Sequence, residues 1–165
     1  MSFGRKLFAL RLGTGNAEIG GFALASRPAI LTPETLAEEV IVMLAGRAAE
    51  IVVGLEPSSG AGSDLAGATH LVTQYHAVFG FGSAMSGFGD DVDTKELLAR
   101  FPRLAMQVDA DLSRYWSQTL AIVREFANEI EAVAEALVRH RHLGEAEIRN
   151  LLDETEMIAG EQRSA

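Results

Sequence analysis

From Leu104 to Leu137, apolar or small side chains recur at spacings of three and four: Leu104, Val108, Leu112, Tyr115, Thr119, Ile122, Phe126, Ile130, Val133 and Leu137. An α-helix brings residues three and four apart onto one face, so this run predicts one long amphipathic helix whose stripe must be covered. A half-buried strand would alternate every second residue, which the run does not do. The chain is therefore committed to helix-on-helix packing. A second stripe, Leu36, Val40, Leu44, Ala48 and Val52, repeats every four residues and offers a matching face. Its helix opens at Thr32-Pro33-Glu34. The Thr32 hydroxyl can accept a free backbone N–H, Pro33 suits the first helical position, and Glu34 complements the helix dipole. Gly54 is the expected stop, and Ala45, Gly46, Ala48 and Ala49 are small enough for a neighbouring helix to approach closely.

Ahead of these helices, residues 5–12 and 18–25 are short and apolar-rich, with Gly13-Thr-Gly-Asn16 between them. Gly and Asn supply the positive φ values of a tight turn, so the segment predicts a β-hairpin. The Gly13-x-Gly15 pair is not read as a dinucleotide loop, because Glu18 stands at the third glycine position and no βαβ unit follows. Pro57 to Gly62 reads as a loop, and a second helix should run from about Ser63 to Phe79. The stretch Gly80–Asp93 holds four glycines and three aspartates and reads as a mobile loop. Gly144 should interrupt the long helix, with a last helix around Ile148, Leu151 and Leu152. The expected architecture is mainly α: a helical bundle with a short N-terminal β-hairpin, one domain over residues 1–159 and a frayed tail at 160–165.

Composition narrows the function. With 14 Lys and Arg against 23 Asp and Glu, the net charge of −9 argues against a nucleic-acid partner and against docking on anionic lipid. There is no Cys, which excludes disulfides and thiolate metal sites. No apolar run reaches the roughly 18–20 residues of a transmembrane helix, so no direct membrane insertion of this chain is expected. Arg11 breaks the apolar stretch near the start, which argues against a signal peptide.

Two central motifs carry more specific information: Leu44-Ala-Gly-Arg-Ala-Ala-Glu50 running on to Gly54, and Ser59 to Thr69 with Ala61-Gly-Ser-Asp64-Leu at its heart. Together with Gly20-Gly-Phe-Ala23 and the late helix, Leu-Gly-Glu break and terminal helix of Ile130–Leu152, they resemble the C-terminal part of the peptidase domain of the FtsH family of AAA+ ATP-dependent zinc metalloproteases. The resemblance covers nearly the whole chain from about residue 6. It implies a fold of the FtsH peptidase-domain type, and it implies that Asp64 is the third zinc ligand of the intact family site. It further implies protein substrates, an AAA+ ATPase module and a hexameric ring in a parent protein. This chain is expected to be cytoplasmic, in a parent protein anchored to the inner membrane.

In that family the other two zinc ligands are His residues of a His-Glu-x-x-His helix. Imidazoles at i and i+4 share one face and can reach one ion, while the Glu between them serves as general base. This sequence has no such motif. Its four histidines, His70, His76, His140 and His142, include no pair four apart. On a helix His70 and His76 point roughly 120° apart. These two are expected to be surface or partly buried helix residues, and His140 and His142 to sit favourably near a helix C-terminus. The chain alone is therefore expected to bind no zinc and to cleave no peptide. A non-catalytic helical scaffold or protein-interaction domain derived from the same peptidase fold is the alternative reading.

Other chemistries find less support. Asp90, Asp91 and Asp93 lack the central Gly and closing Glu of a calcium loop and read as a solvated loop and helix cap. Arg47 and Glu50, three apart, either pair locally or brace the neighbouring loop. Ser59 and Ser63 have no His and Asp in nucleophile order. No Gly-x-x-x-x-Gly-Lys-Ser/Thr occurs, so no P-loop holds ATP here.

Overall fold

The computed structural model describes residues 7–12, 21–25, 30–83, 87–89 and 93–163, with side chains described for 30–83, 87–89 and 93–155. The protein is mainly α-helical. In order, its elements are β1 (Leu7–Leu12), β2 (Gly21–Ala25), α1 (Pro33–Val52), a 3-10 turn (Ser59–Ala61), α2 (Gly62–Ala77), α3 (Thr94–Arg100), α4 (Pro102–Glu125), α5 (Ala127–His140), β3 (His142–Gly144) and α6 (Glu145–Arg163). They divide into two compact units, one of Ile30–Glu125 and one of Met1–Ala29 with Phe126–Ala165.

In the first unit α1 packs on α2 and α4, α2 also packs on α4, and α3 sits against both α2 and α4. The four-residue repeat of α1 is what the core is built on. Leu36, Val40, Leu44 and Ala48 are all buried, and they meet Ala68, Val72 and Ala77 of α2 and Val108, Tyr115 and Val123 of α4 in one core. Burying a Leu or Val of this kind stabilises by about 1.5–3 kcal/mol. Two core hydroxyls are satisfied within their own helices: Thr73 Oγ1 donates to the Thr69 carbonyl and Thr119 Oγ1 to the Tyr115 carbonyl, each at 2.8 Å.

The close approach of helices falls partly where the small residues suggested. Ala48 is fully buried, and on α2 a Cβ at Gly67 would lie 3.3 Å from the Met43 sulfur. Gly46 instead faces open space. The ends of α1 follow local chemistry. Thr32 caps it by accepting from the Thr35 N–H at 3.2 Å, and the Thr35 hydroxyl returns the contact to the Thr32 N–H at 2.8 Å. Just past the other end, Gly54 takes φ +80°, a left-handed conformation that costs glycine no Cβ clash.

In the second unit β1 pairs antiparallel with β2 on one side and with β3 on the other, giving the strand order β2-β1-β3. A register shift interrupts the β1–β2 ladder between Leu7 and Ala9. The turn expected at Gly13–Asn16 lies outside the described residues. α5 and α6 pack on each other and on β1 and β3, around a small cluster of Ala136, Leu143 and Ile148 with Val133, Leu137 and Leu151 at its margin.

Two boundaries differ from the sequence expectation. The long helix is broken at Phe126, whose φ of −103° and ψ of 25° separate α4 from α5. The second part then ends at His140, ahead of Gly144, because Arg141 takes the left-handed conformation (φ 64°) and donates its N–H to the Leu137 carbonyl at 2.8 Å. Gly144 belongs instead to β3, where its N–H donates to Glu147 Oε2 at 2.7 Å.

Candidate functional site

Asp64 lies in the first turn of α2 and is exposed. Its surroundings are set by the segment that precedes it. Glu50, near the end of α1, accepts two hydrogen bonds from Ser58, one from the backbone N–H at 3.0 Å and one from the hydroxyl at 2.5 Å. These bonds hold the Glu50 carboxyl below the usual carboxylate range, the hydroxyl bond first, the backbone bond second, and nearby Arg47 adding a smaller effect. Of the two roles open to Glu50, the loop brace is the one that forms hydrogen bonds. The Ser58 oxygen also accepts from the Gly60 N–H at 3.2 Å and so caps the 3-10 turn of Ser59–Ala61. That turn leads directly into α2, whose own cap position, Ala61, makes no side-chain hydrogen bond. The start of α2 is thus anchored through Glu50, Ser58 and the 3-10 turn. The sequence placed the bracing residue but not its partner; Ser58, eight residues on, carried no signal of its own.

At the other end of the same helix, about 18 Å along its axis from Asp64, His76 is largely buried with 12% of its side chain exposed. Its Nε2 lies 2.8 Å from Asp111 Oδ2 on α4, and Asp111 Oδ1 accepts from Arg114 Nη2 at 2.7 Å. The Arg114 guanidinium stacks over the Tyr115 ring, 4.6 Å from its centroid. Burial pushes the Tyr115 phenol above its ordinary value, and Arg114 partly opposes that shift. The backbone of Gly82 packs directly on the imidazole, where a Cβ would come within 2.6 Å of Nδ1. His70, one turn and a half before His76, places Nδ1 2.5 Å from the Thr94 hydroxyl at the start of α3. His140 closes α5 and His142 lies in β3, both exposed. Asp93 caps α3 by accepting from the N–H groups of Lys95 at 2.6 Å and Glu96 at 3.3 Å. Asp90 and Asp91 lie outside the described residues.

Against a zinc centre this donor set is incomplete. Zinc takes four ligands, three of them from the protein in a catalytic site. Among the described residues no group of three His, Cys, Asp or Glu side chains is placed to hold one ion. Asp64 offers one carboxylate, exposed in the first turn of α2.

The chain matches the model of peptidase family M41 over residues 21–151. It belongs to that family. Curated relatives in the family include an ATP-dependent zinc metalloprotease FtsH from Leuconostoc mesenteroides, 29% identical over 81% of this chain and 21% of its own length. Another, of the same name, comes from Oenococcus oeni, 25% identical over 84% of this chain and 21% of its own. A third, from Marinobacter nauticus, is 28% identical over 74% of this chain and 22% of its own. The chain therefore spans about a fifth of the length of the curated relatives it matches. The matched region of this M41 member includes α1, the Glu50–Ser58 brace and α2 with Asp64. No helix among the described residues is long and apolar enough to cross a membrane.

Proposed function

We propose that this chain supplies the Asp64 side of an FtsH-type zinc peptidase site, with Asp64 as the third metal ligand. The observation that carries the reading is the placement of Asp64. It is an exposed carboxylate in the first turn of α2, on a segment fixed by the Glu50–Ser58 brace, inside the region matching peptidase family M41. The remaining ligands would come from a His-Glu-x-x-His helix, a motif that this sequence does not contain. Zinc, when bound in such a site, lowers the pKa of its water to about 7 and so makes hydroxide available to attack an amide.

What this chain's own residues do is narrower. Asp64 presents a fixed negative charge, and Glu50 with Ser58 keeps the helix start from shifting. By itself the chain hydrolyses no peptide bond, because one carboxylate does not hold zinc. In a parent protein of the FtsH type, an AAA+ ATPase module would deliver unfolded protein substrates to the site. On this reading the parent would form a hexameric ring, cytoplasmic in its catalytic part and anchored to the inner membrane.

The test restores the missing ligands. A helix carrying His-Glu-x-x-His is joined upstream of this chain, and zinc affinity is measured by competition with a chelator. One zinc per chain is expected. Asp64→Asn should weaken it by more than the roughly tenfold that loss of a hydrogen bond supporting a ligand costs. Unchanged affinity in the Asp64→Asn variant would remove Asp64 from the metal site and leave the non-catalytic scaffold as the better reading.

A further inference from the structure

Next to His76, within the Ile30–Glu125 unit, lies a cavity of about 200 Å³. It is lined by His76, Ser83, Phe88, Phe101, Arg103 and Leu104, among others. The Phe88 and Phe101 rings form one wall, with centroids 5.3 Å apart, and Phe88 is 49% exposed, large for an aromatic side chain with a neighbour to pack on. Apolar cavities of roughly 150 Å³ hold a benzene ring, so this one has room for a phenyl or leucyl side chain.

Among the described residues that line it, the one that carries a formal charge is Arg103. Arg103 is exposed and makes no ion pair among the described residues, in a chain of net charge −9. Arg103 and Leu104 also belong to the first turn of α4, where backbone N–H groups have no partner within the helix and the dipole favours an anion. The guanidinium of Arg100 lies 5.9 Å from the Phe101 centroid and adds to the same field. Among the described residues none that lines the cavity is acidic. The carboxylate that His76 contacts, Asp111, is also held by Arg114.

We propose that this cavity binds the carboxyl-terminal residue of a polypeptide ending in an apolar side chain. The side chain packs between the Phe88–Phe101 wall and Leu104, and the terminal carboxylate pairs with Arg103. An apolar body and a carboxylate on one Cα occur together only at a chain end, which is why a peptide terminus fits better than an internal acidic residue. Peptide-bond cleavage generates such ends, yet binding here needs neither metal nor an intact peptidase site. The inference therefore stands or falls separately from the assignment of Asp64.

Calorimetric titration of this chain, in the presence of a chelator, with acetyl-Ala-Ala-Phe as the free acid and as its amide tests it. Saturable binding of the acid is expected, with the amide at least tenfold weaker. Arg103→Gln should reduce acid binding to the level of the amide while leaving the melting temperature unchanged. Equal binding of acid and amide, or no binding of either at millimolar concentration, would overturn the proposal. So would discrimination that survives in Arg103→Gln, or self-association of the chain that Arg103→Gln abolishes, since that would assign the cavity to a second copy.

Discussion

At its amino-terminal end α2 has no side-chain cap of its own and displays Asp64 to solvent, whereas at its carboxy-terminal end His76 is clamped between α4 and the backbone of Gly82. The same helix is thus anchored indirectly at one end and directly at the other. At the start the anchoring comes from Glu50 through Ser58 and the 3-10 turn, and among the described residues the Asp64 carboxylate has no hydrogen-bond or ion-pair partner. At the finish Asp111 joins His76 to Arg114, with one carboxylate oxygen engaged by each. A carboxylate with no internal partner can serve a ligand from outside the chain; one engaged by two neighbours is a packing device.

The largest effect should come from the clamped end. Asp111→Ala leaves His76 without its partner in a largely buried place and frees Arg114, and it should cost about 1–3 kcal/mol in urea unfolding. A loss below that range would mean that the two ends of α2 are equally loosely held. Gly82→Ala comes next. Its Cβ would press to within 2.6 Å of an imidazole that Asp111 holds in place, so overpacking of roughly 1–3 kcal/mol is expected. If the variant melts like the parent protein, His76 moves more freely than the geometry implies.

At the exposed end the effects are smaller and depend on pH. The folded-state pKa of Glu50 is lowered. Its contribution to stability is therefore fully present above the unfolded value near 4.5 and is lost as pH falls through the folded value. Glu50→Gln should lower the melting temperature slightly at neutral pH, and the gap between variant and parent should close as pH drops below about 4.5. A gap that stays constant with pH would show that the brace does not rely on the carboxylate charge. Smallest of all, Asp64→Asn should change stability by about 0.5 kcal/mol or less, as expected for a surface position with no partner among the described residues. A loss of several kcal/mol would place Asp64 in the fold and not in a ligand role.

What could be read from the sequence was what chemistry decides over a few residues. Thr32-Pro33 marked the start of α1, Gly54 its end and the cluster of Asp90, Asp91 and Asp93 a helix cap, because caps and left-handed turns depend on the residues at one or two positions. The stripe of α1 gave its buried face for the same reason. The break at Phe126 was hidden because Ile122, Phe126 and Ile130 keep their four-residue spacing across it, so the periodicity carries on while the backbone does not. β3 was hidden by its length: His142–Gly144 is a strand only because β1 lies beside it. At the proposed site, the motif resemblance is what singles out Asp64. Its supports could not be singled out, since Glu50–Ser58 and His76–Asp111 pair residues whose sequence separations follow no helical repeat.

The central claim is that residue 64 faces a metal completed by residues outside this sequence. Its most direct test is Asp64→Cys in the chain extended by a His-Glu-x-x-His helix, loaded with cobalt in place of zinc. A thiolate that ligates cobalt produces an intense near-ultraviolet charge-transfer band, and a thiolate one residue removed from the metal does not. That band is expected in Asp64→Cys, and its absence is expected when the neighbouring position is changed, in Ser63→Cys. Cobalt bound without the band in Asp64→Cys would contradict the claim.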